Sequence, residues 1–336
     1  MIYTPELIEG IVVTTRVRFA RNLKDYPFRI TDPVFSREVV KSVNRALVKC
    51  DTFNLVFTAN LSDLTLEAMK EKHLISNALI ENKKFGATLV NAKQDISVMI
   101  HEEDVIREQC FMKGLCLTEA YKRLEKIDDE LSKNLNFAFD SNLGYLTSCP
   151  TNLGTGLRAS VMMFLPALTE SGKIKPLIEE VSDLGLTIRG VYGEGSDAEG
   201  YNYQISNEVT LGVTEYEILK SVEQTVLRIC KAERDEMERL FGRRQLQTMD
   251  RAKKAFGILT NSVLLGYNEF LFHIAQVKLG AMLGFINIKE LDKIDDLIVA
   301  VRPAVLCEQY GKKLSALDRD LFRAEVVGNK LLKMKE

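Results

Sequence analysis

Histidine is scarce in this sequence. His73, His101 and His273 are the only three, too few and too scattered for a histidine-rich metal site. The six cysteines, Cys50, Cys110, Cys116, Cys149, Cys230 and Cys307, form no CxxC pair and no metal-finger spacing, so reduced thiols in the cytoplasm are the expectation. No metal ligand set is assigned. No apolar run reaches membrane-spanning length without an interrupting charge, and the opening Met1-Ile2-Tyr3-Thr4-Pro5 reads as no secretory segment, so no membrane partner is expected. An excess of one charge is missing too: 45 basic and 47 acidic side chains leave a formal net charge of -2. Such a balance provides no field that steers the molecule onto nucleic acid or anionic lipid, and any anion site must be local.

What is present is an ordinary globular composition, 336 residues with 46% hydrophobic and 27% charged, enough for one large or two unequal domains. Up to about Leu211, short β-branched or alternating runs (Ile11–Val13, Ala87–Val90, Ile96–Ile100, Gly144–Thr147, Leu186–Arg189) mix with helical spacing over Ser36–Lys49 and Leu115–Leu131. Strict strand-helix alternation is absent, which favours an α+β domain over a doubly wound sheet. After Thr214 the pattern turns helical. Glu217–Phe241 sets Ile218, Val222, Val226 and Ile229 on one stripe, and Met249–Leu283 and Ile288–Leu332 follow. The expected division is 1–245 and a helical C-terminal domain, 246–336.

The arginines are the most informative residues. In Val13-Thr14-Thr15-Arg16-Val17-Arg18-Phe19, strand alternation puts Thr14, Arg16 and Arg18 on one face and Val13, Thr15, Val17 and Phe19 on the other. Two adjacent guanidinium groups repel unless an anion lies between them, and their planar forks suit phosphate oxygens. Two solvated surface arginines would satisfy the same pattern. Further on, Cys149-Pro150-Thr151-Asn152-Leu153-Gly154-Thr155-Gly156-Leu157-Arg158 places two glycines where the backbone can turn with positive φ and deliver Arg158 toward an anion. It has neither the Lys-Ser/Thr ending of a P-loop nor GxGxxG spacing. Ile100-His101-Glu102-Glu103-Asp104-Val105-Ile106-Arg107 ends an apolar run with three carboxylates; continued extension would set Glu103 and Arg107 on one wall, while a solvated turn is the plainer alternative. Arg189-Gly190-Val191-Tyr192-Gly193-Glu194 adds a strand-end arginine before a glycine-hinged acidic loop.

Taken in order, the TxRxR segment, the Glu-Glu-Asp segment and CPTNLGTGLR resemble the phosphagen or guanidino kinase family, over roughly Val12 to Leu211. In the helical remainder, Arg319-Asp320-Leu321-Phe322-Arg323-Ala324 is similar to an RDxxRA motif of the branch that phosphorylates arginine in proteins. The resemblance implies a catalytic domain with a mainly antiparallel sheet flanked by helices, using ATP and Mg²⁺. It implies that Arg16, Arg18, Arg107, Arg158 and Arg189 surround the nucleotide phosphates. The site would be lined by Thr14, Thr15 and Val17, by Ala159, Ser160, Val161 and Met162, and by Gly190, Val191, Tyr192, Gly193 and Glu194, with His73 as a further contact. Glu103 and Glu194 match the acidic pair that holds the acceptor guanidinium, and Cys149 the reactive cysteine beside it. Arg319, Asp320, Arg323 and Ala324 match an allosteric phosphoarginine pocket. The implied partners are protein substrates with exposed arginines, an activator protein (McsA-like), a Clp ATPase and protease, a heat-shock repressor as client, and a second copy of the chain in a homodimer.

The chemistry is consistent with those residue types. An arginine side chain has a pKa of about 12.5 or more, so only about one in 10⁵ to 10⁶ is neutral at pH 7. Two carboxylates can hold the cation, align one nitrogen with the γ-phosphorus and take its proton, while arginines and Mg²⁺ meet the charge on the phosphoryl group. Two departures from the family pattern stand out: His101 and Val105 replace the asparagine and histidine of NEEDH, and Thr14-Thr15 replaces a serine pair. A kinase of a free guanidino metabolite and a non-catalytic phosphoarginine-binding adapter are the alternative readings. The extra N-terminal helical domain of small-metabolite members has no counterpart before Arg16, which weighs against the first; intact Glu103, Arg158 and Arg189 weigh against the second.

Overall fold

The computed structural model of the chain describes residues 4–190 and 199–335. A one-turn helix α1 (Pro5–Ile8) precedes strand β1 (Val12–Arg21) and helix α2 (Pro33–Leu47). Strand β2 (Phe53–Phe57) leads to helices α3 (Asp63–Glu71) and α4 (Asn77–Glu81), then to strands β3 (Ala87–Asn91), β4 (Ile96–Ile100) and β5 (Ile106–Lys113). Helix α5 (Leu117–Asn134) is followed by two short strands, β6 (Phe139–Asp140) and β7 (Gly144–Tyr145), and by β8 (Leu157–Phe164). Helices α6 (Pro166–Glu170) and α7 (Ile174–Ser182) come next, then strands β9 (Leu186–Gly190) and β10 (Asn202–Asn207). The rest is helical: α8 (Glu215–Arg243), α9 (Gln245–Asn261), α10 (Tyr267–Met282), α11 (Leu291–Ala300), α12 (Pro303–Gln309) and α13 (Ala316–Lys335).

Packing divides the chain into two compact units, one of residues 14–161 and 206–224, the other of 1–13, 162–205 and 225–336. The boundary falls inside β1, β8, β10 and α8. The expected division at 245/246 does not coincide with that boundary.

In the first unit the strands run β2-β3-β4-β5-β1-β8, and the pairs from β2 to β1 are antiparallel. Helix α5 buries Leu117, Ala120, Leu124, Ile127 and Leu131, a spacing of three and four that keeps one face on the sheet. Helix α2 starts sharply because the Asp32 carboxylate accepts from the amides of Val34 and Phe35 and Pro33 needs no partner for its nitrogen. Its Val39, Val40, Val43 and Leu47 join Ile127 and Leu131 over Leu89, Val98 and Ile106. Each such fully buried side chain contributes about 1.5–3 kcal/mol. The opposite face receives a smaller cluster, Leu66, Ile75 and Leu79 against Met99.

In the second unit, β9 and β10 are neighbours, and α9, α10, α11 and α13 enclose a core that includes Leu259, Phe270, Ile274, Ile294, Leu297, Val327 and Leu331. Gly280 lets α9 come close, since a Cβ there would lie 2.5 Å from that of Ala252. The α+β class, the antiparallel sheet and the helical C-terminal segment expected from the sequence are all found. Of the two readings of 101–105, the turn is the one found, and the extended run does not continue. That segment is a turn between β4 and β5, with His101 at a φ of 61° and its amide donating to Val105 O at 2.8 Å.

Candidate functional site

Along β1, half-buried Thr14, Arg16 and Arg18 alternate with buried Thr15, Val17 and Phe19, as the alternation predicts. The register with β5 sets Arg16 opposite Phe111, Arg18 opposite Gln109 and Ala20 opposite Arg107, so Arg16, Arg18 and Arg107 share a face. On the other side of β1, Ala20 N donates to Gly156 O at 2.9 Å and the Ser160 hydroxyl to Arg16 O at 3.3 Å. This brings Arg158, Ala159, Ser160 and Val161 beside the same arginines. Crowding has an electrostatic consequence. Burial, with Arg107 and Arg158 nearby, lowers the Arg16 guanidinium to about 10. Burial, with Arg16, Arg107 and Arg158 nearby, pushes Arg18 well below its usual value, with Glu102 opposing. Its Nε is buried without a hydrogen-bond partner. Four guanidinium groups held together in this way create a strong local demand for an anion.

The 101–105 turn brings both Glu102 and Glu103 to Arg107. Arg107 Nη1 donates to Glu102 at 2.6 Å and Nη2 approaches Glu103 at 3.4 Å. Glu102 is engaged on two sides, since the Ser76 hydroxyl also reaches it at 2.5 Å and its side chain is only 1% exposed. Glu103, 45% exposed, keeps a carboxylate turned to solvent. Asp104 is wholly buried, which its place as the third member of an acidic triplet does not signal. Its Oδ1 accepts from Ser148 N at 2.6 Å and from the Asn22 amide at 2.8 Å, and Asn22 Oδ1 accepts from Val105 N at 2.8 Å. This latch ties the acidic turn to the segment bearing Cys149, whose thiol lies 3.0 Å from the Thr151 hydroxyl.

The glycine loop is shaped by backbone on every side. Gly154 (φ 111°) and Gly156 (φ 64°) are left-handed. A Cβ on Gly154 would overlap Thr210 O, and one on Gly156 would fall 2.6 Å from Ala20 O and against the Arg21 guanidinium. Arg21 is a second residue the sequence reading passed over. Only 2% exposed, it donates to both Asp128 oxygens at 2.9 Å, to Thr155 O at 3.0 Å and to Ala20 O at 2.9 Å, with its charge 3.6 Å from the Tyr145 ring centre. Burial beside Asp128 pushes the neighbouring Glu108 carboxyl well up, favouring its protonated form. His73 lies on the arginine face, its ring 6.0 Å from Phe111, over which Arg16 also sits at 5.6 Å.

Met162, Arg189 and Gly190 belong to the second unit. Val191, Tyr192, Gly193 and Glu194 lie outside the described residues. In α13, Arg323 is 1% exposed and its guanidinium is taken up by Val301 O (3.1 Å), Leu265 O (2.7 Å) and Asp320 (2.7 Å). Ala324 is buried, while Arg319 is partly exposed on the preceding turn.

Residues 35–236 match the family model described as ATP:guanido phosphotransferase, C-terminal catalytic domain, and residues 245–336 match that of the protein-arginine kinase McsB C-terminal domain. The chain belongs to the protein-arginine kinase family. A protein-arginine kinase of Caldanaerobacter subterraneus subsp. tengcongensis is 40% identical over 331 residues, covering 97% of this chain and 98% of that one. One of Clostridium kluyveri is 42% identical over 327 residues, covering 96% and 95%. Among solved structures, the substrate-free duplicated taurocyamine kinase from Schistosoma mansoni superimposes with a TM-score of 0.59 at 29% identity, covering 69% of this chain and 35% of that duplicated one. Lombricine kinase gives 0.59 at 25% identity over 67% of each. Members of the family are ATP:guanido phosphotransferases, and this chain is an enzyme of that kind.

Proposed function

We propose that the chain transfers the γ-phosphoryl group of ATP to arginine side chains of proteins, with the 1–245 region forming the phosphotransferase site and 246–336 a regulatory helical region. The observation that carries this reading is the arginine face. Arg16, Arg18, Arg107 and Arg158 converge with two guanidinium groups displaced below their ordinary values, a state that a triphosphate relieves. Mg²⁺ would enter with the nucleotide and share the phosphate charge. Arg189, with the residues that follow it, is assigned to the same phosphates from the family pattern.

Glu103 is the favoured base. Its exposure leaves an oxygen for the incoming guanidinium, whereas Glu102 is occupied by Ser76 and Arg107. Glu194 is assigned as its partner, and Cys149 adds a thiol next to Ser148, whose amide the Asn22–Asp104 latch holds. Protein substrates with exposed arginines follow from this reading. An activator protein, a Clp ATPase and protease, a repressor client, phosphoarginine binding at Arg319, Asp320, Arg323 and Ala324, and a homodimer complete it. Among the described residues no helix is long and apolar enough to cross a membrane.

The deciding experiment incubates the purified chain with Mg-ATP and a protein substrate and maps acid-labile phosphoarginine by mass spectrometry. Labelling is expected and should be lost in Glu103→Gln. Labelling undiminished by that change refutes the assigned base, and no labelling by the wild type refutes the reading as a whole.

A further inference from the structure

A partly buried polar junction lies around Tyr201, apart from the arginine face and the acidic turn. Tyr201 closes the short 3-10 turn Glu199–Tyr201 that leads into β10. Gly200 (φ 69°) and Tyr201 (φ 59°) are both left-handed, a conformation natural to glycine and strained for tyrosine. Strain of this kind persists only where the surroundings over-determine it. Here Leu165 N donates to Tyr201 O at 2.9 Å, and the ring meets Phe164 edge-on with centroids 6.0 Å apart. The phenol donates to Glu170 at 2.9 Å and accepts from the Gln276 amide at 3.1 Å. Glu170 is held in turn by Arg251 at 2.9 Å. Burial beside Glu170 pushes the phenol up to about 12, so it remains an O–H donor at neutral pH.

The two sides of the junction come from different stretches of sequence. Phe164, Glu170 and Tyr201 fall within 35–236, the catalytic-domain match, whereas Arg251 on α9 and Gln276 on α10 fall within 245–336. Gln276 is only 2% exposed, between buried Ala275 and Val277. A leucine would suit that position better on packing grounds alone, because a buried amide is costly unless it is bonded. Its bond to the phenol fixes one geometry where apolar packing would tolerate several.

We propose that the Tyr201 hydroxyl is a positioning group for phosphoryl transfer, through which α9 and α10 set the start of β10 and hence the β9–β10 strand pair that carries Arg189. The proposal rests on the assignment of Arg189 to the transferring phosphoryl group. A small displacement of such a group costs rate more than it costs nucleotide binding, since Arg16, Arg18 and Arg107 are held independently by β1 and β5.

The test uses the full chain. Tyr201→Phe keeps the ring and removes the hydroxyl, Gln276→Leu removes the amide, and the double variant completes a cycle. For each, kcat and KM for ATP are measured with a protein substrate, alongside the thermal midpoint. Each single change should lower kcat by about tenfold with KM for ATP within about twofold of wild type, and the double variant should be no worse than the poorer single one. Arg251→Lys should retain most of the rate lost in Arg251→Leu. A kcat unchanged by Tyr201→Phe, additive losses in the double variant, or a fall in rate that merely tracks a smaller folded fraction each overturns the proposal. A wild type that makes no phosphoarginine fails the functional reading instead, a result separate from any ratio between variants.

Discussion

Arg18 and Arg107 stand on the same face of adjoining antiparallel strands with one residue pair between them, Arg18 opposite Gln109 and Arg107 opposite Ala20. Arg16 and Arg158 add to their mutual repulsion while Glu102 and Glu103 offset it in part, so the face is electrostatically strained at neutral pH. A cation whose folded pKa is depressed opposes folding while it is charged, and the strain disappears only above the folded value, about 10 for Arg16. Arg18→Met should therefore raise the thermal midpoint of the nucleotide-free protein while lowering kcat/KM by about 10³-fold or more. Calorimetry and steady-state rates check both signs, and a lower midpoint contradicts the account.

Arg21 should behave in the opposite sense. Its charge is matched by Asp128 and its donors by Thr155 O and Ala20 O, so Arg21→Ala leaves a carboxylate and two carbonyls short of partners. Breaking such a buried pair costs about 3–5 kcal/mol. Urea unfolding should show that loss, together with a raised KM for ATP because the Thr155–Gly156 turn precedes Arg158.

Glu233 makes stability depend on pH. The buried carboxylate accepts from the amides of Ala167 and Leu168 at 2.7 and 2.9 Å, yet burial outweighs them and pushes it up from 4.5 to about 7, with Arg234 and Glu236 as its charged neighbours. Between those values the folded chain holds the proton more tightly than the unfolded one. Stability should thus fall as pH rises from about 5 to 7 and level off above, by on the order of 3 kcal/mol. Urea midpoints at pH 5 to 8 should show this slope in the wild type and a flatter one in Glu233→Gln; equal slopes would remove Glu233 as the cause.

The RDxxRA arginines should separate by role. Arg323→Ala orphans Leu265 O, Val301 O and Asp320, and should destabilise by about 2–4 kcal/mol whatever the ligand does. Arg319→Ala should leave stability within about 0.5 kcal/mol while weakening phosphoarginine binding, measured by calorimetric titration. Unchanged affinity in Arg319→Ala would remove that residue from the pocket.

The arginine face was legible because strand alternation is local: Thr14, Arg16 and Arg18 declare their shared face by spacing alone. Gly154 and Gly156 were legible because positive φ has few alternatives. Long-range partners were not. Asn22 meets Asp104 across 82 residues, Arg21 meets Asp128 across 107 and Gln276 meets Tyr201 across 75, distances over which no periodicity survives. One signal was available. Arg21 lies an odd number of residues from Arg16 and Arg18, which put a charge on the buried face and called for a partner there. At 101–105 the sequence leaves extension and a turn both open, because three consecutive charged residues carry no period of their own.

Phe164 and Ala167 are buried in one cluster with Met237, Phe241, Ala275 and Leu279, which unites residues of the catalytic match with residues of the helical one. A chain cut after residue 245 would present that apolar surface to water, and the shortened product should aggregate or lose order around β8 and α6. The same seam constrains inheritance. A helical segment acquired from another lineage would need compatible side chains at 275 and 279, so the two regions are expected to descend together, and chimaeras between distant relatives should fail at this seam before they fail at the arginines.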